Sequence, residues 1–570
     1  MKQTAILAAA LFLAVAPARA QSQLQFGGAV LNHDLMWATD MAALSQTHTF
    51  GTARAMGMGG AFVSLGADLT AMAVNPAGLG MYRRSEVAFT PYLSITRAAT
   101  DATEPWQKNG KTRFSFANLG GAFNLVQNAQ GALTSLTFGV AMNRMADFNS
   151  RWSFSSESRY DASQPGRLMP TMADIFAQQL ATFGVRPSKA ADDGGPNGPI
   201  FLDEWNPNVW PAILGYDAYM VNNDGTVQAP YWSPARIGAN ASVLHSMDVV
   251  NTGSINEFDI SMGANLNNIV YIGATLGIQS VHRKSETIYQ EEYGYFDGPP
   301  AFSDGTLLSE ELLRSTLWQR TVINGSGVNF KIGAIVRPVA GLRLGMAFHT
   351  PTWYSLDRTY RAGIEANIEE IATGFRSTVG NESPESAAEG DNNWAFISPA
   401  RLLFGASYTF GTIAIVSVDY QRDWYNGMRV RRQPNFTGFS NNFYNEEFRN
   451  NFRGTNTVRG GIEVRPLPTF ALRAGGGYTD SMLADKDFYV NDPYACQPTT
   501  VGSWYLSAGA GMNLSRTATL DIAYQYKTDR LSHYQLFFSR FEGGDFKTYS
   551  GRYDTHLTHH FVTMTLAFRF

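Results

Sequence analysis

Strict alternation of apolar and polar residues restricts the fold of this chain more than any other feature. The last ten residues consist of an apolar set interleaved with a more polar set: Val562, Met564, Leu566, Phe568 and Phe570 against Phe561, Thr563, Thr565, Ala567 and Arg569. Side chains of a β-strand point to opposite faces in turn, so each such segment carries one apolar face. After residue 20, no apolar run approaches the roughly 20 residues that a transmembrane helix needs. The pattern therefore predicts strands.

Residues 1–20 have the organisation of a secretory signal peptide. Lys2 gives the positive start, an apolar stretch runs from Ala5 to Ala16, and Ala18-Arg19-Ala20 is a small-x-small cleavage site. This stretch is too short to span a bilayer as a helix. We therefore expect export across the inner membrane and a mature chain that begins near Gln21.

Composition excludes several classes of protein. A chain of 570 residues exceeds the roughly 250–300 residues of a single soluble core, yet no Pro/Ser-rich linker or charge run divides it. The net charge of −4 is small, which argues against nucleic acid as a partner. Cys496 is the single cysteine, so no intramolecular disulfide can form. One large closed sheet accounts for this length without separate domains.

Connections between the alternating segments are of two kinds. The short ones lie at 266–268, 338–341, 411–412 and 466–469, and the long ones at 150–250, 283–320, 355–392, 426–454 and 528–555. Alternation by itself fits both a soluble sandwich and a membrane barrel. Outer-membrane barrels combine short periplasmic turns with long extracellular loops, so the asymmetry favours the barrel.

Aromatic residues and the C-terminus point the same way. Pairs of aromatic residues stand near strand ends, at Trp353-Tyr354, Trp424-Tyr425 and Trp504-Tyr505, as in the interfacial girdles of barrels. The chain stops on Phe570 at the end of an alternating strand. We expect the barrel-assembly machinery to bind through Phe570, and outer-membrane lipid and lipopolysaccharide to surround the barrel.

The predicted fold class is all-β: a transmembrane antiparallel β-barrel over residues 84–570, with about fourteen strands. Their centres fall near 91, 118, 140, 260, 274, 332, 346, 404, 417, 461, 474, 509, 523 and 563. An even number is expected when both ends of the barrel lie on the periplasmic side. Region 230–255 leaves room for one further pair, and 150–250 is the most prominent long loop.

Residues 21–83 differ in texture from the barrel. The glycine-dense run Met56-Gly57-Met58-Gly59-Gly60-Ala61-Phe62 is followed by Asn75-Pro76-Ala77-Gly78. Proline forces an extended or turned backbone at Asn75, which ends any short helix before it. We interpret the segment as a hatch, or plug, folded into the lumen of a wide barrel. A periplasmic tether is the alternative.

The sequence resembles the FadL-like family of outer-membrane transporters for long-chain fatty acids and other hydrophobic compounds. The resemblance is carried by Gly51-Thr52-Ala53-Arg54, the MGMGGAF run, Asp68, Asn75 to Gly78, the stretch from His349 to Leu356, and the terminal Phe. It implies a fourteen-stranded barrel whose hatch moves when a hydrophobic ligand, captured from outside, reaches the lumen. It also implies sideways release at a kinked strand, without an energy source, metal or cofactor.

From this resemblance we expect a monomer in the outer membrane of a Gram-negative bacterium that takes up hydrophobic small molecules, such as long-chain fatty acids, passively. The hatch residues expected to control passage are Asn75, Pro76, Ala77, Gly78, Gly59 and Gly60. Two alternatives stay open: a barrel of a secretion complex that binds exported proteins, and an outer-membrane enzyme. The lumen faces carry Gly, Ser, Thr and charges, which suit a polar solute, so the fatty-acid preference rests on the resemblance alone.

Within the 150–250 loop, the stretch from Pro170 to Gly184 predicts a helix. Thr171 and Asp174 give a start signal, and the apolar residues at helical spacing are Met172, Ile175, Phe176, Leu180 and Phe183. One interpretation is an exposed capture groove, with Met172, Ile175, Phe176 and Phe183 as ligand contacts. The other is a lid packed on the remaining loops.

In the second strand, the outward-facing apolar positions change parity between Phe116 and Leu119, near Gly120-Gly121. This change predicts a bulge or kink, which could be a wall opening or a plain bend.

His556, His559 and His560 cluster in the last strand without an HExxH motif or paired carboxylates. No metal or catalytic site is predicted from them.

Overall fold

The computed structural model describes residues 25–27, 36–48, 50–100, 107–128, 131–159, 171–185, 200–202, 205, 209–223, 231, 242–294, 310–370, 372–384, 386, 393–434, 440–484, 500–531, 534–536, 538–540, 546–549 and 552–570. The predicted signal peptide, Cys496 and much of the 150–250 loop lie outside them.

The strands are β1 (Gln25–Gly27), β2 (Glu86–Thr100), β3 (Gln107–Gln127), β4 (Leu133–Asp147), β5 (Ser150–Arg159), β6 (Ser242–Leu266), β7 (Val270–Gly294), β8 (Glu310–Val339), β9 (Leu342–His349), β10 (Trp353–Glu370), β11 (Phe375–Glu382), β12 (Asn393–Ile397), β13 (Arg401–Phe410), β14 (Ala414–Trp424), β15 (Arg429–Arg432), β16 (Gly454–Leu467), β17 (Phe470–Thr479), β18 (Thr500–Asn513), β19 (Ala518–Leu531), β20 (Tyr534–Gln535), β21 (Phe538–Arg540), β22 (Phe546–Tyr549), β23 (Arg552–Tyr553) and β24 (Thr555–Arg569).

The α-helices are α1 (Ala38–Ser45), α2 (Ala53–Gly57), α3 (Ala71–Val74), α4 (Met172–Phe183), α5 (Trp210–Asp217) and α6 (Asn441–Asn451), and 3-10 helices span Pro76–Met81 and Tyr425–Gly427. Among the described residues, no helix is both long and apolar enough to cross a membrane.

The large sheet closes on itself as an antiparallel barrel, because β24 pairs with both β19 and β2. Counting β4 with β5, β9 with β10, β12 with β13 and β14 with β15 as single positions in the wall, and leaving out β11, which pairs with β10 alone, the described residues form fourteen barrel strands. Each predicted strand centre falls inside one of them, so the predicted fold is confirmed. In the described part of 230–255 only β6 is present, and the additional pair is not found there.

Short turns and the closing contact define the periplasmic end. Asn267 and Asn268 join β6 to β7 with φ angles of 55° and 57°, the left-handed conformation that two-residue hairpin turns need and that Asn tolerates. At the same end, Ser85 and Phe570 exchange backbone hydrogen bonds of 3.1 and 3.0 Å. Both ends of the barrel therefore meet on one side, as an even strand number requires.

An apolar belt surrounds the outside of the barrel, as expected for strands that cross a bilayer. Outward residues such as Ile272, Phe330 and Met564 are exposed, whereas their neighbours along each strand face the lumen. Trp353 and Trp504 are exposed at its rim, while the adjacent Tyr354 and Tyr505 point inward and are buried. The aromatic pairs thus divide between the outer girdle and the lumen.

One side of the wall rises well beyond the belt. Strands β6, β7 and β8 contain 25, 25 and 30 residues, whereas about 9–11 residues are enough to cross a bilayer. Their upper parts, together with β10, pack against α4 and α5 in one hydrophobic core. The described parts of the loops on this side therefore form a compact cap at this end of the barrel.

The segment before β2 lies inside the barrel. Helices α2 and α3 and the 3-10 helix Pro76–Met81 contact strands around the wall, and most of their residues are buried. Further towards the N-terminus, β1 pairs with β21 in the loop that connects β19 to β24. The chain therefore runs from the extracellular loops down the lumen to the periplasmic end, where β2 begins.

Candidate functional site

A buried polar triad holds the upper and lower parts of the hatch together. Thr52 caps α2, its Oγ1 accepting from Ala55 N at 3.2 Å and donating to the Asp68 carboxylate at 2.8 Å. Asp68 also accepts from Thr70 N at 2.9 Å, and Thr70 Oγ1 accepts from Thr52 N at 2.9 Å. These are residues of the sequence motif, and their role is to make the hatch one rigid body.

Gly59 and Gly60 form a turn that no other residue would fit as well. Their φ angles are +64° and +69°, a left-handed region that glycine enters without steric cost. A Cβ on Gly59 would also lie 2.8 Å from Gly460 O in the barrel wall. Gly59 N donates to Ser507 Oγ at 3.1 Å, and Tyr505 OH donates to Gly59 O at 2.8 Å. This turn is the point where the hatch meets β16 to β18.

Asn75 connects parts of the lower hatch to one another and lies against the barrel wall. Its backbone is extended, so α3 ends at Val74 and the 3-10 helix starts at Pro76, as the Asn-Pro sequence predicts. The side-chain amide donates to Val63 O at 2.6 Å, and Oδ1 accepts from Ala77 N at 3.1 Å. Gly78 is buried as well, and a Cβ there would lie 2.9 Å from both Ala71 Cβ and Leu65 O.

Inward-facing glycines of the barrel give the hatch backbone its space. We call them the glycine seat: Gly263, Gly273, Gly333, Gly345, Gly405, Gly461 and Gly475. A Cβ on Gly333 would overlap Asn75 Oδ1, and one on Gly273 would overlap the Pro76 carbonyl group. Neighbouring members face each other in the strand register, as Gly263, Gly273 and Gly333 do. The glycines therefore form three patches of the wall against which the hatch backbone lies: Gly263 with Gly273 and Gly333, Gly345 with Gly405, and Gly461 with Gly475.

Polar side chains of the wall bind the hatch around its circumference. Asp419 accepts from Val63 N at 2.9 Å, Thr275 donates to Met72 O at 3.1 Å, and His349 Nε2 donates to Val74 O at 2.9 Å. On other strands, Thr565 accepts from Ala53 N at 2.7 Å and Ser135 donates to Gly80 O at 2.9 Å. These contacts come from β4, β7, β9, β14 and β24, so the hatch is held from several sides.

An ion cluster ties the hatch to the wall near the periplasmic end. The fully buried carboxylate of Glu463 receives Arg54 of the hatch at 3.1 Å, Arg473 at 2.7 Å and Arg465 at 2.8 Å. Arg473 also pairs with Asp521 at 2.5 Å. Separating the partners of a buried ion pair leaves an uncompensated buried charge, which is strongly destabilising. Moving α2 therefore requires this cluster to rearrange.

A cavity of about 260 Å³ lies on the extracellular side of the hatch. Its wall includes the hatch residues His48 and Phe50 and, from the upper half of β24, Leu557, His559 and Phe561. Charged side chains from several strands also reach it: Asp147, Arg283, Arg401, Asp423, Arg459, Asp480, Lys527 and Asp529. The cavity is therefore polar and charged as well as aromatic, in line with the polar lumen expected from the sequence.

Most of these charges are neutralised by neighbours. Arg401 pairs with Asp423 at 3.1 Å, and Lys527 with Asp529 at 3.0 Å. Burial, with Lys527 and Arg459 nearby, lowers the pKa of the hatch residue His48 to about 3. His48 is thus neutral, so its Nε2 can donate to Gln525 Oε1 at 3.0 Å.

Beside the cavity, two neighbouring strands of the barrel wall are not paired along their full length. β3 pairs with β4 from Asn118 to Gln127, whereas its residues 107–116 pair with β2 alone. Side chains bridge the gap: Asn109 donates to Ser153 Oγ at 2.7 Å, and Arg113 to Asn149 Oδ1 at 3.0 Å. We call this gap between 107–117 of β3 and 147–153 the wall seam. Asp147, Phe148, Asn149 and Ser150 line the cavity, so cavity and seam adjoin.

A β-bulge accompanies the seam. Thr90 pairs with Asn118 and Pro91 with Phe116, so Ala117 is left unpaired. The outward parity changes here, as the sequence pattern predicts. Gly120 and Gly121 are paired regularly on both sides, with β2 and with β4. The irregularity thus lies three residues before the glycine pair that the sequence singled out.

The helix predicted in the long loop is confirmed as α4. Thr171 and Asp174 form its capping box, and Gly184 ends it in the left-handed conformation. Met172, Ile175 and Phe176 are buried in the core shared with α5, whereas Phe183 is 45% exposed. In this conformation the apolar face of α4 packs as a lid, and of the four candidate ligand contacts only Phe183 is open to the outside.

Histidines of the last strand point to different sides. His559 faces the lumen, 3.1 Å from Asp529 and 3.0 Å from Thr96 Oγ1, while His560 faces outward beside Tyr524 OH at 2.8 Å. Within the described ranges, no group of three His, Cys, Asp or Glu side chains is arranged to hold a metal ion.

Comparison with known proteins finds similarity in structure only. No protein-family model and no curated protein sequence matches the chain. Among solved structures it is similar to the toluene transporter TodX of P. putida (10% identity, 91% of this chain and 98% of that chain, TM-score 0.47). A FadL homologue of Pseudomonas aeruginosa (11%, 91% and 98%, 0.46) and the toluene transporter TbuX of Ralstonia pickettii (13%, 91% and 98%, 0.44) are also similar.

Several residues of this site escape sequence reasoning. The sequence indicates the hatch residues, but not Arg459, Tyr505 or Glu463, which stand in ordinary alternating strands. The glycine seat is visible in the sequence, because its members occupy inward-facing positions of successive strands. Comparing the inward-facing positions of neighbouring strands with each other would predict it.

Proposed function

We propose that this protein is an outer-membrane channel of a Gram-negative bacterium that takes up hydrophobic small molecules passively and is gated by its hatch. The observation that carries the proposal is the placement of the hatch. It fills the lumen on the glycine seat, with a cavity directly above it on the extracellular side. A molecule that enters from outside meets this cavity before it meets the barrier.

The exit route that we propose is sideways. The wall seam adjoins the cavity, and in the described part of the chain side-chain contacts bridge it where strand pairing is missing. Side-chain contacts rearrange faster and at lower cost than a paired strand or a hatch held from several strands. Passage through the seam would require the hatch to move only beside the cavity and would leave its contacts at the periplasmic end intact.

The hydrophobic class of the cargo comes from the family resemblance of the hatch sequence. Phe50, Phe148, Trp152, Tyr505 and Phe561 give the cavity apolar surface. Diffusion down the concentration gradient is the driving force that we propose. An enzyme or a secretion barrel would need features beyond this arrangement: a reactive pair at one level of the lumen, or a bound exported protein.

Uptake by whole cells tests this function. Cells that lack their own transporter would express the wild type or a variant with residues 75–77 replaced by Gly-Ser-Gly, and uptake of labelled toluene and of labelled oleate would be measured. We expect uptake of at least one compound above that of empty cells, and an altered rate in the variant. A folded barrel that takes up neither would contradict the proposal. Co-purification of exported proteins in its place would favour the secretion alternative.

A further inference from the structure

Arg459 differs from the other cations of the cavity in lacking a carboxylate partner. Its guanidinium donates to Gln421 Oε1 at 2.8 Å, and Tyr505 is its other hydrogen-bonding neighbour. It makes no ion pair with any carboxylate of the described residues. Asp419, opposite it in the strand register, interacts with it electrostatically but makes its hydrogen bond with Val63 N of the hatch. A guanidinium has five N–H donors in a planar fork, so donors remain for a ligand.

The other cations of the cavity have carboxylate neighbours, and Arg283 lies 4.0 Å from Asp40. Arg401 and Lys527 pair with carboxylates. The Asp147 carboxylate accepts from Tyr92 OH at 2.6 Å and from Asn149 N at 2.9 Å. Arg459 is therefore the group of this cavity best placed to bind a charge on a ligand, and that charge is negative.

Aromatic rings lie next to this guanidinium. Phe50 of the hatch packs against Phe561 at 5.1 Å between ring centroids, and His48 contacts Phe50 at 5.2 Å and Tyr505 at 5.4 Å. All four line the same cavity as Arg459. Rings prefer edge-to-face or offset contacts with other rings, so this floor suits a flat aromatic body.

The size of the cavity limits the ligand further. About 260 Å³ is less than the roughly 300–1,000 Å³ of sites for drug-sized molecules. A long alkyl chain would also have to lie along Asp423, Asp480 and Asp529, where it would desolvate charges without compensating them. The site fits a short, flat molecule with one anionic group better than a long-chain acid.

We propose that the cavity binds compact aromatic carboxylates, with the carboxylate on Arg459 and the ring on Phe50, Tyr505 and Phe561. This inference rests on the proposed function of the same lumen and names its substrate class. Arg459 also lies beside the hatch, because a Cβ on Gly60 would be 3.7 Å from Arg459 Cδ. A ligand carboxylate on Arg459 thus lies beside the Gly59-Gly60 turn, where binding and hatch movement can be coupled.

Titration calorimetry of the purified full-length barrel tests the proposal with three probes: 2-naphthoate, its uncharged analogue 2-naphthalenemethanol, and oleate. We expect the wild type to bind 2-naphthoate at least tenfold more tightly than the alcohol, and more tightly than oleate. Arg459→Met should remove the preference for the acid. Arg422→Met is the matched control, because Arg422 donates to an amide side chain, Asn456, from the adjacent strand and is absent from the cavity lining.

Any of four results would overturn the inference: no binding of 2-naphthoate, equal or tighter binding of the alcohol, tighter binding of oleate, or an unchanged preference in Arg459→Met. The comparison of 2-naphthoate with the alcohol uses the wild type alone, so it tests the inference even if Arg459→Met fails to fold. A failure of this ligand inference can also be distinguished from a failure of the proposed channel function. A barrel that transports toluene in cells but does not discriminate between the two naphthyl probes would keep the proposed function and lose this ligand class.

Discussion

Gly460 and Gly461 are neighbours on β16, yet only Gly461 belongs to the glycine seat. A Cβ on Gly461 would overlap Met58 O of the hatch, whereas a Cβ on Gly460 would meet nothing within 4 Å. The same chemical change at adjacent positions therefore separates the effect of the hatch contact from the effect of removing a glycine from a strand.

We predict that Gly461→Ala unseats the hatch and that Gly460→Ala does not. Forcing one methyl group into a close-packed contact costs about 1–3 kcal/mol, which would raise the population of the displaced hatch. Single-channel recording in planar bilayers should show more frequent or larger ion conductance for Gly461→Ala, with Gly460→Ala close to the wild type. Equal conductance in the two variants would contradict the role of the seat.

Residue-scale prediction from sequence succeeds where local backbone rules decide. Proline fixes the conformation of Asn75, and the structure shows the extended residue and the helix end that follow from it. Arg459 could not be recognised in the same way. Its lack of an ion pair depends on Asp419 bonding instead to Val63, a contact between residues 356 positions apart, and no pattern along one strand encodes it.

At the scale of elements, α4 shows how a lid can be fixed at one end. The Glu291 carboxylate on β7 is fully buried and accepts from Met172 N at 2.9 Å, from Tyr289 OH at 2.8 Å and from Tyr293 OH at 2.6 Å. A negative group near a helix N-terminus is also favoured by the free N–H groups there. The lid helix therefore starts on an anion supplied by the barrel wall.

We predict that Glu291→Gln loosens the lid. Hydrogen bonds to a charged acceptor contribute about 1.5–3 kcal/mol each, and the amide of Gln offers one acceptor oxygen in place of two. Hydrogen–deuterium exchange in peptides that cover 172–183 should become faster by at least tenfold, while peptides of the apolar belt keep their rates. Glu292→Gln, an exposed neighbour on the outer face of β7, is the control. Unchanged exchange in Glu291→Gln would show that packing alone holds α4.

The ends of α4 could be predicted because capping is local: Thr171, Asp174 and Gly184 mark them in the sequence. Its packing partners could not be predicted, because an apolar stripe fits a capture groove and a lid equally well. Only the positions of α5 and of the upper strands show that Met172, Ile175 and Phe176 are covered.

On the scale of the whole molecule, patterns of a few consecutive residues determine the strands, whereas the closure of the sheet brings the residues of the site together. The strand centres follow from alternation and from turns such as Asn267-Asn268, which are properties of a few consecutive residues. The hatch path, from β1 beside β21 to the periplasmic end, and the wall seam arise only when the sheet closes. The seam forms because β4 stops pairing with β3 above Asn143, where it remains paired with β6, while β3 continues with β2.

This arrangement leads to a prediction about the exit route. After replacement of Cys496 by Ser, Asn109→Cys with Ser153→Cys places two thiols across the wall seam, at side chains now 2.7 Å apart. A short bifunctional maleimide should bridge them and reduce uptake of the transported compound several-fold, because the opening beside the cavity is then covalently closed.

Thr100→Cys with Thr555→Cys is the matched control. These side chains are 3.1 Å apart on β2 and β24, which are already paired, so bridging them closes no opening. Cells treated after expression would be compared with untreated cells of the same strain, and bridging would be verified by mass spectrometry of the purified barrel. If bridging the seam leaves uptake unchanged while replacement of residues 75–77 still alters it, the cargo leaves through the periplasmic end, and the hatch, not the wall, is the gate that must open.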